Sequence, residues 1–155
     1  MSGDTESLEW LVEGLRSAVD VEVAAMVTYG HMAAFCRGVD RLMLTPLFEG
    51  EAAESVMHLA LVREILADLG SEANVNYEFT LASVEVGSMT STGLLRIALT
   101  MEEDALNLYT TLRALAEKLE LPTIARKLET LLDQEQESVH EMRRLLPRSA
   151  PQLGF

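Results

Sequence analysis

Cysteine is nearly absent: Cys36 stands alone in 155 residues. No internal disulfide can form, so packing must hold the fold, and a reducing, cytoplasmic setting is expected. Aromatic residues make up only 5% of the chain. Ala, Leu, Glu and Met abound instead, a mixture that favours helix over sheet. Positive charge is also scarce, with 12 Lys and Arg against 25 Asp and Glu, a net charge of −13. Such a surface repels phosphate backbones and draws cations, so no nucleic-acid partner is expected. No apolar run reaches the length needed to span a bilayer, so no membrane partner is expected either. The stretch "MSGDTESLEW" has neither a basic n-region nor an apolar h-region, which counts against a signal peptide. What is present is apolar content of 48%, enough for one folded domain over residues 1–155.

Four long segments carry helical periodicity. The first is expected over Thr5–Arg37, capped by Asp4 and ended by Gly38. In the second, "LTPLFEGEAAE" offers Thr45 as N-cap with Pro46 at the first helical position, and Gly70 ends it. The third starts at "STGLLRIAL" behind Thr90 or Ser91 and runs to about Leu119. The fourth opens at Pro122 and stops before Pro147, with Leu128, Leu131, Leu132, Glu135, Met142 and Leu145 in helical period. Links one–two ("CRGVDRLML") and three–four ("KLELPT") are short and predict antiparallel neighbours. The link "SEANVNYEFTLASVEVGSMT" leans toward β character and is long enough to run the length of a bundle. The fold expected is an all-α antiparallel four-helix bundle, two helical hairpins joined by one long crossover. The tail "PRSAPQLGF" reads as frayed or lying on the surface.

Polar residues set into apolar helix faces carry the functional information. Glu22 lies among Val21, Val23, Ala25 and Met26, and Glu102 follows Ile97, Ala98, Leu99 and Met101. Each is followed seven residues later by a tyrosine, Tyr29 and Tyr109, two turns along the same stripe. Histidines come from the other two helices: His58 in the second, and His140 in the fourth with Glu137 three residues before it. Glu22 and His58 are 36 residues apart, Glu102 and His140 are 38 apart, the signature of a weakly duplicated hairpin. A lone Glu on an apolar face is more often a neutral or ion-paired core residue. Four helices each offering a ligand type at one height point to a metal site, because buried carboxylates need a cation. Carboxylate with imidazole suits iron or manganese, and zinc also fits. Di-iron carboxylate bundles take a Glu from each of two helices and Glu-x-x-His from each of the others.

On these residues the chain resembles the ferritin-like superfamily, most closely bacterioferritin, over about residues 6–146. The Glu22–Tyr29 stretch, "LLRIALTME" leading to Glu102, "HLALVREILADLG" after His58 and the Glu-x-x-His of "EQESVHEM" carry the resemblance. It implies a dinuclear iron centre that oxidises Fe(II) with O2 or peroxide, for iron storage or detoxification, in a homo-oligomer that is a dimer or a larger shell. Glu22 and His58 would hold one metal and Glu102 and His140 the other, with Glu137 bridging. The chain departs from the family at three places. Ser55 stands where a second-helix Glu is expected, leaving Glu51 and Glu54 as candidate substitutes. Val56 stands where the haem methionine of bacterioferritin falls, with Met57 beside it, so no haem is expected. The family's short fifth helix has no room after Pro147, which counts against a full cage. Alternatives are a rubrerythrin-like peroxidase, for which no CxxC module is present, a DNA-protecting mini-ferritin, and a bundle with a degenerate metal site that serves binding or assembly. His31 reads as a surface or subunit-contact residue, the eight methionines as core filling, and Glu103 and Asp104 as solvated.

Overall fold

The structure is a computed structural model that describes residues 2–71 and 90–146. The β-leaning link, for all but its ends, and the C-terminal tail lie outside the described residues. Four helices follow in order: α1 (Ser2–Phe35), α2 (Arg41–Asp68), α3 (Ser91–Lys118) and α4 (Pro122–Leu145). Helix α1 packs on α2 and α3, and α4 packs on α3 and α2.

The ends are set by local chemistry. Thr90 caps α3, accepting from the Gly93 N–H at 3.1 Å. Helix α2 closes on Gly70, whose φ of +69° is open to glycine at little cost. There Gly70 N–H donates to the Ala67 carbonyl and Ser71 N–H to that of Leu66, a Schellman motif that satisfies two orphan carbonyls. The same arrangement ends α3, but the left-handed residue is Glu120, at φ 56°. Pro122 then starts α4 as expected.

Helix α2 begins five residues earlier than the cap chemistry of Thr45 predicts. Thr45 does not cap; its hydroxyl donates to the Ala33 carbonyl at 3.2 Å and lies 3.0 Å from Cys36 Sγ. Extending the helix to Arg41 seats Leu44 in the core, 1% exposed, which outweighs the proline inside the first turns. Helix α1 likewise starts at Ser2 and ends at Phe35, two residues short of expectation.

Cross-helix contacts fix the directions. Residues 16 and 36 of α1 and its end meet 71 and 45, so α1 and α2 are antiparallel. Arg113 pairs with Glu129 and Arg143 with Glu103, which makes α3 and α4 antiparallel. Ser71 lies beside Arg16 while Ser91 hydrogen-bonds Asp40 at 2.7 Å, so the long link joins opposite ends of the bundle. The apolar core is split in two. One part gathers Leu11, Leu15, Val62, Ile65, Leu112 and Leu128. The other gathers Met32, Leu44, Phe48, Leu94, Ala98 and Met142. Between them lies a buried polar layer.

Candidate metal centre

Every helix contributes to that layer: Glu22 from α1, Glu51, Ser55 and His58 from α2, Glu102 from α3, Glu135 and Ser138 from α4, all buried. Apolar residues a turn away on each side place these groups, since positions three and four apart share a helix face. His58 is the hub. Its Nδ1 is 2.9 Å from Glu135 Oε1 and 3.4 Å from Glu22 Oε1. Its Nε2 is 2.8 Å from Gln134 Oε1 and 3.4 Å from the half-buried Glu54. One ligand atom each from Glu22, His58 and Glu135 all fall within 4.8 Å of one another, close enough to share one ion.

Two tyrosines fix the carboxylates of α1 and α3. Tyr109 donates to Glu22 Oε1 and Tyr29 donates to Glu102 Oε1, both at 2.5 Å. The pairs are crossed: each tyrosine serves the glutamate of the facing helix. Along one helix, seven residues separate the groups by about 10 Å, too far to bond. Two antiparallel helices bring the same spacing into reciprocal register. On the far side, Ser138 Oγ donates to the Glu51 oxygens at 3.2 and 3.3 Å.

The electrostatics are those of crowded acid. Burial raises the Glu22 carboxyl above the ordinary range, against the hydrogen bonds from His58 and Tyr109. Burial and then the charge of Glu54 push Glu51 up to about 7. Burial and the adjoining Glu135 push Glu102 up to about 10. Burial opposes a charge on His58, but hydrogen bonds to Glu135, Glu22 and Glu54 prevail and raise it to about 12. Four buried carboxyl groups thus share one group able to carry positive charge. Glu135 Oε2 is buried with no hydrogen-bond partner. A divalent cation fits this set: it would give the orphaned oxygen a partner and favour the ionised carboxylates.

Of the residues expected from sequence, Glu22, His58 and Glu102 are in the layer, with Glu51 inside it and Glu54 at its edge. Glu137 and His140 are not. Both are exposed on the outer face of α4. Two residues along a helix turn the side chain by about 200°, so Glu137 points away wherever Glu135 points inward. The fourth-helix positions are Glu135 and Ser138. A signal for them exists: Ser138 follows Glu102 by 36 residues, matching Glu22 to His58, whereas His140 misses by two. Ser138 has no imidazole to draw notice, and Glu135 was legible only as part of the apolar period. His31 is exposed and stacks obliquely on Phe35, as a surface residue would. Glu103 is half-buried and ion-paired with Arg143 at 2.9 Å, while Asp104 is exposed.

A cavity of about 490 Å³ opens between α1 and α3 and reaches Glu22, Ser55, Glu102 and Glu135 past Ala25, Ile97 and Met101. The short Ser55 side chain helps leave this space. No described helix is long and apolar enough to cross a membrane.

Comparison with known proteins agrees with this architecture. A ferritin-like diiron-carboxylate protein of Bacillus anthracis str. Ames is 26% identical, with a TM-score of 0.82 over 90% of this chain and 97% of that one. Dps from Thermosynechococcus elongatus superposes with a TM-score of 0.84 at 14% identity, covering 97% of this chain and 99% of its own. The dodecameric thioferritin of Bacteroides fragilis, at 22% identity, gives 0.78 over 90% of this chain and 85% of that one. No curated protein matches the sequence. The family model for the ferritin-like domain matches residues 12–149, taking in most of α1 and all of α2, α3 and α4, and the chain therefore belongs to the ferritin-like family.

Proposed function

We propose that the protein binds Fe(II) in the mid-bundle layer and oxidises it with O2 or peroxide, in iron storage or detoxification. The observation that carries this reading is the buried triad of Glu22, His58 and Glu135, whose donor atoms lie within 4.8 Å of one another. Mixed carboxylate and imidazole donors suit iron, and manganese next. Iron held there supplies the electron that the oxidant accepts. The protein's part is to bind, orient and exclude. The tyrosine hydroxyls hold Glu22 and Glu102 in place, as outer hydrogen bonds do at metal ligands. The α1–α3 cavity gives a small oxidant a path with mostly apolar walls. Iron entering would release protons from Glu51 and Glu102, whose carboxyls are pushed up to about 7 and about 10. The site lies within one chain, whereas a mini-ferritin site would lie between subunits, which favours a bacterioferritin-type arrangement.

The test is anaerobic loading with Fe(II), then addition of O2 or peroxide while ferric absorbance is followed. Iron retained by the wild-type chain and oxidised faster than in buffer supports the reading. Retention and oxidation equal to those of Glu135→Gln would sink it. Ser55 and Ser138 favour a second reading, a bundle that keeps the fold for assembly alone, and that result would support it. Homo-oligomerisation is proposed on the dodecameric state of the Bacteroides fragilis relative and on exposed apolar residues such as Trp10 and Met57. Size-exclusion chromatography with light scattering decides it: a monomer would refute the proposal.

A further inference from the structure

Packed helices normally leave no large void between them, so the cavity between α1 and α3 needs a reason. Its lining includes Ala24 and Ala25 of α1, Ala105 of α3 and Ser55 of α2, side chains too small to fill it. At about 490 Å³ it far exceeds what O2 or peroxide needs. A water molecule's share of the liquid is only about 30 Å³. Pockets for small organic molecules span about 300–1,000 Å³. The chemistry of this one is uneven. Val21, Ala25, Ile97 and Met101 give it apolar walls. At the rim the exposed Arg96 and Asp104 oppose each other in charge. The deep end is acidic, with Glu22, Glu102 and Glu135 all buried. Glu22 and Glu102 each give an oxygen to a tyrosine hydroxyl, and Glu135 gives Oε1 to His58. Glu135 is 2% exposed, and its Oε2 has no hydrogen-bond partner. The adjoining Glu102 can bond to Glu135 only by keeping its own proton, since two carboxylates repel. The deep end therefore suits a donor that carries positive charge, and the walls suit hydrocarbon.

We propose that the α1–α3 cavity binds a small aliphatic primary amine, its ammonium on Glu135 Oε2 and its alkyl chain against Ala25, Ile97 and Met101. An ammonium is a compact charge with three N–H donors, enough to meet Glu135 and a neighbouring carboxylate together. A carboxylate or phosphate head would instead face three buried acids. Metal held by Glu22, His58 and Glu135 draws on the same Glu135 carboxylate, so amine and metal exclude each other. The amine thereby sets how readily the layer loads. That consequence rests on the iron reading, whereas the amine site does not.

Hexylamine is the probe, with hexanol and hexanoate as its neutral and anionic counterparts of equal length. Calorimetry on the full chain, stripped with chelator, should show one hexylamine per chain. Hexanol should bind about 10–100-fold more weakly, the loss of one charge-assisted hydrogen bond, and hexanoate should not bind. Glu135→Gln should bring hexylamine down to the hexanol level. Ala24→Leu, which fills the cavity from α1, should abolish binding of both and still retain Fe(II), so that its lost binding is not misfolding. Nuclear Overhauser contacts from bound hexylamine to the Met101 methyl should locate it in the cavity. Under anaerobic conditions Fe(II) should raise the apparent dissociation constant for hexylamine. Equal binding of hexylamine and hexanol, tighter binding of hexanoate, or hexylamine binding unchanged in Glu135→Gln overturns the amine assignment. Absence of hexylamine binding in a chain that retains Fe(II) overturns it too and leaves the iron reading standing. Hexylamine binding without Fe(II) retention supports the amine site and overturns the iron reading. Hexylamine affinity indifferent to retained Fe(II) overturns the placement on Glu135.

Discussion

Replacing Glu51 by Gln should stabilise the metal-free protein, and the gain should grow with pH. Glu51 is buried and its carboxyl is pushed from 4.5 up to about 7. Below pH 4.5 the group is protonated in folded and unfolded chains alike, and the substitution changes little. Between 4.5 and 7 the unfolded chain gives up its proton first, so the folded state binds more protons and stability falls as pH rises. Above 7 the whole cost of the buried charge is present. A shift from 4.5 to about 7 at about 1.4 kcal/mol per pH unit amounts to about 3.5 kcal/mol, as a ceiling. Gln keeps an acceptor for the Ser138 hydroxyl and cannot ionise. For a domain of this size about 1 kcal/mol moves Tm by about 2–4 °C, so at pH 8 the variant should melt higher in chelator, by at most about 7–14 °C. Thermal and urea unfolding followed by circular dichroism across pH 5 to 8 measures it. A variant that is less stable at pH 8 without metal, or a difference that does not change with pH, would refute the reasoning.

Four further predictions rest on burial, pairing and packing at named positions. In chelator at neutral pH, His58→Ala should cost about 3–5 kcal/mol because it strips the cation from facing buried carboxylates. His140→Ala and Glu137→Gln, both exposed, should change stability by less than about 0.5 kcal/mol and leave iron retention intact, as urea titration and elemental analysis would show. Tyr109→Phe removes the 2.5 Å bond to Glu22 and should cost about 1.5–3 kcal/mol while weakening metal affinity about 10–100-fold. An unchanged dissociation constant would mean that Glu22 is oriented by other contacts. In α1, Gly14→Ala should be about 1–3 kcal/mol less stable than Gly30→Ala. Both gain the same helix propensity, but a Cβ at 14 overlaps Leu112 Cδ2 and one at 30 meets nothing. Equal Tm values would show that Leu112 shifts freely.

The sequence by itself determined the helices and their pairing. Periodicity placed four segments. Thr90, Gly70 and Pro122 marked boundaries because capping, left-handed turns and proline act within a few residues. Short links required antiparallel hairpins. Glu22, His58 and Glu102 were legible because each is an ionisable group on an otherwise apolar face, which costs energy unless something pairs with it.

Tertiary structure decided what depends on neighbours distant in the chain. Burial of Leu44 and the engagement of Thr45 with α1 carried α2 back past its own cap signal. Tyr29 and Tyr109 chose each other's glutamates because antiparallel packing puts a stripe of one helix against the reversed stripe of another. On α4 the choice between Glu137–His140 and Glu135–Ser138 turned on about 200° of helix rotation. The chemically suggestive pair faces water, and the less conspicuous pair faces the core. Glu51 entered the layer for the same reason: only packing shows that Ser138 of α4 meets a carboxylate of α2.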